Sequence, residues 1–378
     1  EDSRIDRMLR SQGIPGASRN NRMRLLGTPV EGYTGLCEVI DTATETLHIE
    51  TFIFGRDEVG TDILNRLVAK AEQGVKVRLM VDGVGSIKTG RHFFKPLVDA
   101  GGSFAVFSPL LHMPFKSHSN LRNHRKIAVA DNKICMAGGM NIYREEISPK
   151  PPTGNWADLS YLLEGDEVIL YCEVFRSDWK FATGEDISCE YQIVETLHAD
   201  SSVTQFIPSG PDVPGDQLYE SIITCIFDAR ERLWLATPYF VPDEALGQAM
   251  RLACNRGVDV RIVVPSQSNH ILTDIAGASF LREIDAAGGT VYKYGDGMMH
   301  AKVLIMDNHL AMVGSANLDM RSLFLNYELM QLFYSRKDID AVANWVYGLT
   351  QRSETGMKES GVWRNMGENV VRMLAPVL

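Results

Sequence analysis

Between residues 22 and 82 the apolar positions switch between a period of two and a period near 3.6. Residues 22–26 predict a strand, 33–43 a helix and 46–54 a strand. Residues 60–73 predict an amphipathic helix, and 75–82 a buried strand rich in β-branched residues. The same order returns later: a helix over 218–229, a strand over 233–240, a helix over 243–255 and a strand over 258–264. Matched landmarks keep nearly constant offsets. Thr51 and Thr237 lie 186 positions apart, Gly74 and Gly257 183, and His124 and His300 176. Short loop insertions account for that drift, so the chain reads as an internal duplication.

Strands alternating with helices imply an α/β fold: two similar halves, each a mostly parallel β-sheet flanked by helices. The expected organisation is a basic N-terminal arm over residues 1–20, one half over 21–185 and a second over 203–378. Thr183-Gly184-Glu185-Asp186 breaks the periodicity near the boundary. A pseudo-twofold axis between the halves would bring His124 and His300 together at one active site.

Those histidines carry the candidate chemistry. His300-Ala301-Lys302 opens an apolar run, Val303 to Met306, that ends at Asp307-Asn308. At strand period two, His300 and Lys302 share a face. An imidazole beside an ammonium suits a phosphate: the cation neutralises oxygen charge, and the imidazole attacks phosphorus or carries a proton. One His-x-Lys could be accidental. Here His124-Arg125-Lys126 followed by Asp131 repeats His300-Ala301-Lys302 followed by Asp307. Each copy has an asparagine ten residues after its aspartate, Asn141 and Asn317.

Composition changes this picture little. Of 378 residues, 45% are hydrophobic and 23% charged, as in ordinary globular proteins. A net charge of −10 argues against broad nucleic-acid binding, which wants a basic surface. No apolar run is long enough to span a bilayer, and no secretory signal is visible. The chain begins at Glu1 rather than Met, so an anchor preceding it is one expected route to a membrane. Cys37, Cys135, Cys172, Cys189, Cys225 and Cys254 lack zinc-type spacing and read as buried free thiols. No metal and no cofactor is expected.

The paired His-x-Lys-x4-Asp motifs resemble the phospholipase D superfamily. Asn123-His124-Arg125-Lys126-Ile127, the run from Thr237 to Leu246, the run from Gly314 to Ser322 and the terminal Arg372-Met373-Leu374-Ala375-Pro376-Val377-Leu378 look like bacterial cardiolipin synthases. The resemblance covers roughly residues 20–378. It implies two-step phosphoryl transfer, with His124 as nucleophile and His300 as acid and base. Lys126 and Lys302 would hold phosphate oxygens, and Asn141, Asn317 and Ser315 would add hydrogen bonds. Glu328 would fix one histidine's tautomer, with Asp158 as the first-half equivalent. Asp131 and Asp307 read as structural. Ser315 stands where the first motif has Gly139, so the halves are asymmetric.

Other segments carry two readings. The arginine-rich N-terminus is either a helix packed on a domain or a basic amphipathic helix touching anionic lipid. Residues 107–116 are either half-buried packing or an apolar lip, in which case Lys116, Arg122 and Arg125 would meet lipid headgroups. The C-terminal stretch 362–378 reads as packing. The expected activity is a phosphatidyltransferase joining two phosphatidylglycerol molecules into cardiolipin and releasing glycerol, at the bacterial inner membrane. A phospholipase D hydrolase is the alternative, and a nucleic-acid phosphodiesterase fits less well. The expected partners are anionic phospholipid and a membrane surface, with no nucleic acid.

Overall fold

In the computed structural model, residues 3–108, 121–152, 156–190 and 201–357 are described. In chain order the elements are α1 (Arg4–Ser11), β1 (Ser18–Leu26), α2 (Pro29–Thr42), β2 (Thr46–Thr51), α3 (Glu58–Glu72), β3 (Lys76–Asp82), α4 (Lys95–Asp99), β4 (Ser103–Phe107), β5 (Ile127–Ala130), β6 (Ile134–Gly138), β7 (Ser160–Gly165) and α5 (Val168–Thr183). There follow β8 (Ser202–Ser209), α6 (Gln217–Asp228), β9 (Arg232–Ala236), β10 (Phe240–Val241), α7 (Glu244–Asn255), β11 (Asp259–Pro265), α8 (Ile271–Ala286) and β12 (Thr290–Tyr294). The chain closes with β13 (Val303–Met306), β14 (Leu310–Gly314), β15 (Leu318–Asp319), α9 (Met320–Phe324), β16 (Glu328–Phe333), α10 (Arg336–Thr350) and β17 (Ser353–Thr355). Every strand and helix expected from periodicity is present, with ends shifted by a few residues.

Two units divide the chain. The first comprises Ser18–Thr153 and Asp158–Thr204; the second comprises Glu1–Ala17, Gly154–Ala157 and Gln205–Leu378. In the first unit, β2, β3 and β4 are parallel neighbours, as strands joined by crossover helices must be. From β2 the sheet continues antiparallel through β5, β6, β7 and β1. The second unit repeats this: β9, β11 and β12 are parallel, then β13, β14 and β16 run antiparallel. The α/β architecture thus has its parallel part where helices cross over, and its antiparallel part where the motif strands turn back through tight loops.

Register carries the repeat down to single residues. Glu50 pairs with Ile127 and Ile127 with Ala137; in the second unit Ala236 pairs with Val303 and Val303 with Val313. The crossover helices even share their start signal. The Asp57 side chain accepts from Gly60 N at 2.8 Å and caps α3, and Asp243 accepts from Leu246 N at 2.9 Å and caps α7.

Each sheet is covered on both faces, because successive strand residues point to opposite sides. In the first unit Leu162 joins a core with Leu36, Ile40, Ile63 and Leu67 of α2 and α3. Its neighbour Tyr161 faces the other way and shares a hydrogen bond with Tyr171 of α5 at 2.8 Å. The second core gathers Ile222, Ile226, Met250, Ile262 and Leu304.

Two expectations change here. The N-terminal arm is not separate: Ile5 and Leu9 of α1 are buried in the second unit's core, and Arg4 pairs with Asp228 at 3.0 Å. Its apolar stripe is therefore occupied, which removes the lipid-touching reading of this helix. Cys172 and Cys189 form a disulfide, so the free-thiol reading holds only for Cys37, Cys135, Cys225 and Cys254, all buried. Among the described residues no helix is long and apolar enough to cross a membrane. The C-terminal stretch 362–378 and most of the segment 107–116, Lys116 included, lie outside the described residues.

Candidate active site

In each unit the His-x-Lys pair sits on an extended lead-in, and strand pairing begins one residue after the lysine, at Ile127 and at Val303. The reason is where the neighbouring strands stop. The pairing of β5 with β2 stops at Glu50 and that of β13 with β9 stops at Ala236, so the histidines stand past the edge of those ladders. They remain shielded, with His124 9% and His300 7% exposed. The lysines fold back in the same way. Lys126 Nζ donates to the carbonyl of His124, and Lys302 Nζ donates to that of His300 while lying 2.8 Å from the ring nitrogen Nδ1. Both lysines are buried, and burial of an ammonium favours binding an anion beside it.

Aromatic rings set the histidine surroundings. In the first unit Phe52 meets His124 edge-on at 4.9 Å, and Lys126 Nζ lies 5.6 Å from the same ring's centroid. In the second, Trp156 is tilted against His300 at 5.7 Å. Ala157 fixes that approach: its N donates to Met298 O at 2.8 Å, and its carbonyl accepts from His300 N at 2.7 Å.

The carboxylates named from the sequence occupy equivalent positions. Gly139 N donates to Leu159 O, and Ser315 N donates to Leu329 O. Asp158 and Glu328 each come one residue before that acceptor and are buried, 1% and 0% exposed. The halves reach this match differently. Ser315 Oγ donates to Glu328 and accepts from Leu329 N at 3.0 Å, while Asn326 Nδ2 donates to the other Glu328 oxygen at 3.3 Å. In the first unit a Cβ on Gly139 would lie 2.0 Å from Asp158 Oδ1, so only glycine fits there.

Asn141 and Asn317 each follow their motif glycines. The Asn141 Oδ1 accepts from Ile53 N at 3.0 Å, and its Nδ2 donates to Glu146 at 3.0 and 3.1 Å. Asn317 Nδ2 donates instead to Ser322 Oγ at 3.2 Å. Glu146 and Ser322 both stand five residues after the asparagine. That shared spacing was a readable signal for Glu146, which sequence reasoning missed. Thr51 and Thr237 are local fixtures, donating to Ile53 O and Tyr239 O at 3.1 and 3.0 Å.

The motif aspartates face away from the histidines, along the same strands. The Asp131 carboxylate accepts from the backbone N–H of Thr44, Glu45 and Thr46 and from the Thr44 hydroxyl, at 2.7–2.9 Å. Burial pushes this carboxyl up, but the four donors outweigh it and hold its pKa below the usual range. Asp307 receives the N–H groups of Arg230, Glu231 and Arg232 in the same manner.

Arg122 and Arg125 do not reach solvent. Arg125 is 0% exposed, and its guanidinium donates to both oxygens of Asp178 at 2.8 Å. At period two it points to the face opposite His124 and Lys126. Asn123 Nδ2 donates to Asp178 at 2.9 Å and Asn123 Oδ1 accepts from Arg125 N at 3.0 Å. Glu50 completes the cluster. Burial, then the neighbouring Asp178 charge, pushes its carboxyl far above the usual range. Arg122 donates to Ser108 O at 3.0 Å and lies 3.6 Å from Asp82. The headgroup role expected for these two arginines is therefore withdrawn; both hold the motif's backbone from behind. The second half has Met299 and Ala301 in place of Asn123 and Arg125, so this polar support exists in the first half alone.

Comparison with known proteins adds the following. A family profile described as "Cardiolipin synthase, PLD-like domain" matches residues 36–154 and 222–349. The chain is similar to a cardiolipin synthase of Geobacillus sp., with 35% identity over 363 residues, covering 94% of this chain and 72% of that protein. It is similar also to one of Alkalihalophilus pseudofirmus, 33% identical over 380 residues, with 98% and 75% covered. Among solved structures, a phosphatidylserine synthase of Haemophilus influenzae superposes with a TM-score of 0.76 at 15% identity, each chain covered completely, which establishes likeness of fold.

Proposed function

We propose, from the premise that this chain belongs to the cardiolipin synthase family of PLD-like proteins, that it transfers a phosphatidyl group from one phosphatidylglycerol to another, forming cardiolipin and releasing glycerol. The observation that carries this reading is the register-matched repetition of histidine, lysine and buried carboxylate in the two units: His124, Lys126 and Asp158 in one, His300, Lys302 and Glu328 in the other.

The proposed cycle uses both histidines. A ring nitrogen of His124 attacks the donor phosphorus, the bond from phosphorus to the glycerol oxygen breaks, and His300 gives that oxygen its proton. A hydroxyl of the second phosphatidylglycerol then passes its proton back to His300 and attacks phosphorus, breaking the phosphorus–nitrogen bond. Lys126 and Lys302 neutralise the phosphoryl oxygens, with Asn141, Asn317 and Ser315 as neighbouring hydrogen-bonding groups. Asp158 and Glu328 hold the imidazoles in orientation, Glu328 itself steadied by Ser315 and Asn326. Asp131 and Asp307 act at a distance by fixing the ends of the motif strands. No metal or cofactor enters these steps.

The work takes place on a membrane surface, with anionic phospholipid as substrate, as at a bacterial inner membrane reached peripherally or through an anchor outside this chain. Product analysis by mass spectrometry tests the reading, using phosphatidylglycerol vesicles with and without a chelator. Cardiolipin with glycerol, insensitive to chelation, is the expected result. Phosphatidic acid alone would replace transfer with hydrolysis, and no lipid product would overturn both.

A further inference from the structure

The three most exposed large hydrophobic side chains among the described residues are Ile271 at 65%, Ile87 at 57% and Leu272 at 55%. They are not scattered. Ile87 lies in the loop after β3, and Ile271 and Leu272 open α8 directly after the loop that follows β11. β3 and β11 are equivalent strands, and the two loops begin with the same bond: Gly83 N donates to Phe107 O at 3.0 Å, and Ser266 N donates to Tyr294 O at 2.9 Å. Two copies of a duplicated fold have diverged in sequence here, yet both keep bare aliphatic groups at this place.

Each loop is tied to its own unit's histidine edge. In the first unit Ser86 Oγ donates to Phe52 O at 3.0 Å and accepts from Phe54 N at 2.9 Å. A Cβ on Gly85 would lie 2.2 Å from Phe52 O, so the loop is pressed against the segment whose Phe52 ring meets His124. In the second unit Tyr239, just after β9, donates its hydroxyl to Asn269 and meets His270 edge-on at 5.2 Å. Charge adds to the argument. Val84, Lys88 and Arg91 flank Ile87 and are all exposed, and His270 is exposed beside Ile271. Around Ile87, aliphatic side chains fringed by Lys88 and Arg91 fit an anionic lipid interface, where the apolar groups enter the acyl boundary and the cations remain among phosphates.

We propose that the loop carrying Val84 and Ile87 and the segment carrying Ile271 and Leu272 are membrane-docking elements, each seating its unit's histidine edge on an anionic phospholipid bilayer. The proposal rests on the phosphatidyltransferase reading for its choice of lipid, but it is tested by binding and not by turnover. The triple variant Ile87→Ser, Ile271→Ser, Leu272→Ser is compared with the parent chain by co-sedimentation with phosphatidylglycerol–phosphatidylcholine vesicles. The expected loss is roughly tenfold or more in partition, as follows when aliphatic groups no longer leave water.

Ile87→Trp and Leu272→Trp guard against a merely unfolded triple variant. Each should keep the parent's thermal transition, and each should add a blue shift in tryptophan emission on vesicle addition beyond that of the parent. Unchanged partition of a folded triple variant, or Trp variants whose added emission ignores vesicles, would overturn the proposal. So would a concentration-dependent dimer that the triple variant abolishes, which would assign these residues to a second copy of the chain. A chain that binds vesicles through them and yields no lipid product would instead overturn the transferase reading and leave the docking elements standing.

Discussion

Replacing Arg125 with Met removes the cation from a cluster that has no access to water. Arg125 is 0% exposed, the Asp178 side chain 1%, and Glu50 2%. A desolvated ion pair gains little over an apolar pair of similar volume, but breaking it by removing one partner costs ~3–5 kcal/mol, because the remaining charge stays buried. Arg125→Met takes the charged donor from Asp178 and leaves it beside the Asn123 amide and the Glu50 carboxyl. Both oxygens of Asp178 lose their charged partner, so the upper part of that range applies. Asp178 has one alternative, which is to take up a proton; at neutral pH that also costs stability. Equilibrium urea denaturation at pH 7 should therefore give a loss of about 4 kcal/mol for Arg125→Met. The double variant Arg125→Met, Asp178→Leu should recover more than half of it. The shortfall should be about 1–2 kcal/mol, because Asn123 Nδ2 then keeps only its longer 3.4 Å bond to Glu50. A single-variant loss below about 1 kcal/mol would refute the reasoning, as would a double variant no better than the single one.

Other consequences are open to measurement. His124→Ala and His300→Ala should each reduce cardiolipin formation below detection while leaving the thermal transition within a few degrees of the parent; full turnover in either variant sinks the two-histidine mechanism. Asp131→Ala strips the acceptor from three backbone N–H groups and a hydroxyl and should cost about 2–4 kcal/mol by denaturation. Asp307→Ala should cost a similar amount, and an effect on activity with no loss of stability would contradict that account. His48 is buried and stacked on Phe175 at 4.9 Å, and burial followed by the nearby Arg78 charge lowers its pKa to about 4. A base with a lowered folded pKa contributes stability that is present above its unfolded value near 6.5 and is lost as pH falls towards 4. His48→Gln should flatten the stability profile over that window by up to ~3 kcal/mol; parallel profiles for variant and parent would exclude the effect.

The chain's own pattern determined a good deal. Periodicity found the crossover strands and helices, because each buries one face and its apolar spacing has to follow its geometry. The duplication was legible because loop insertions shifted the offsets by only a few residues. The paired His-x-Lys motifs, His124 with Lys126 and His300 with Lys302, were legible because a repeat with fixed spacing leaves a local mark.

Only the tertiary structure decided what depends on partners remote in sequence. Arg125 looks like a surface cation until Asp178, 53 residues away on α5, is found against it. Nothing local to Cys172 announced its pairing with Cys189, and nothing in α1 said that the second unit's core would take its apolar stripe. Asp158 was already readable as the counterpart of Glu328, but the matching bonds beside them, Gly139 N to Leu159 O and Ser315 N to Leu329 O, exist only once the strands are paired. Sequence spacing records what one element asks of itself. Burial, charge pairing and register are settled between elements, where the cost of an unpaired buried group selects the partner.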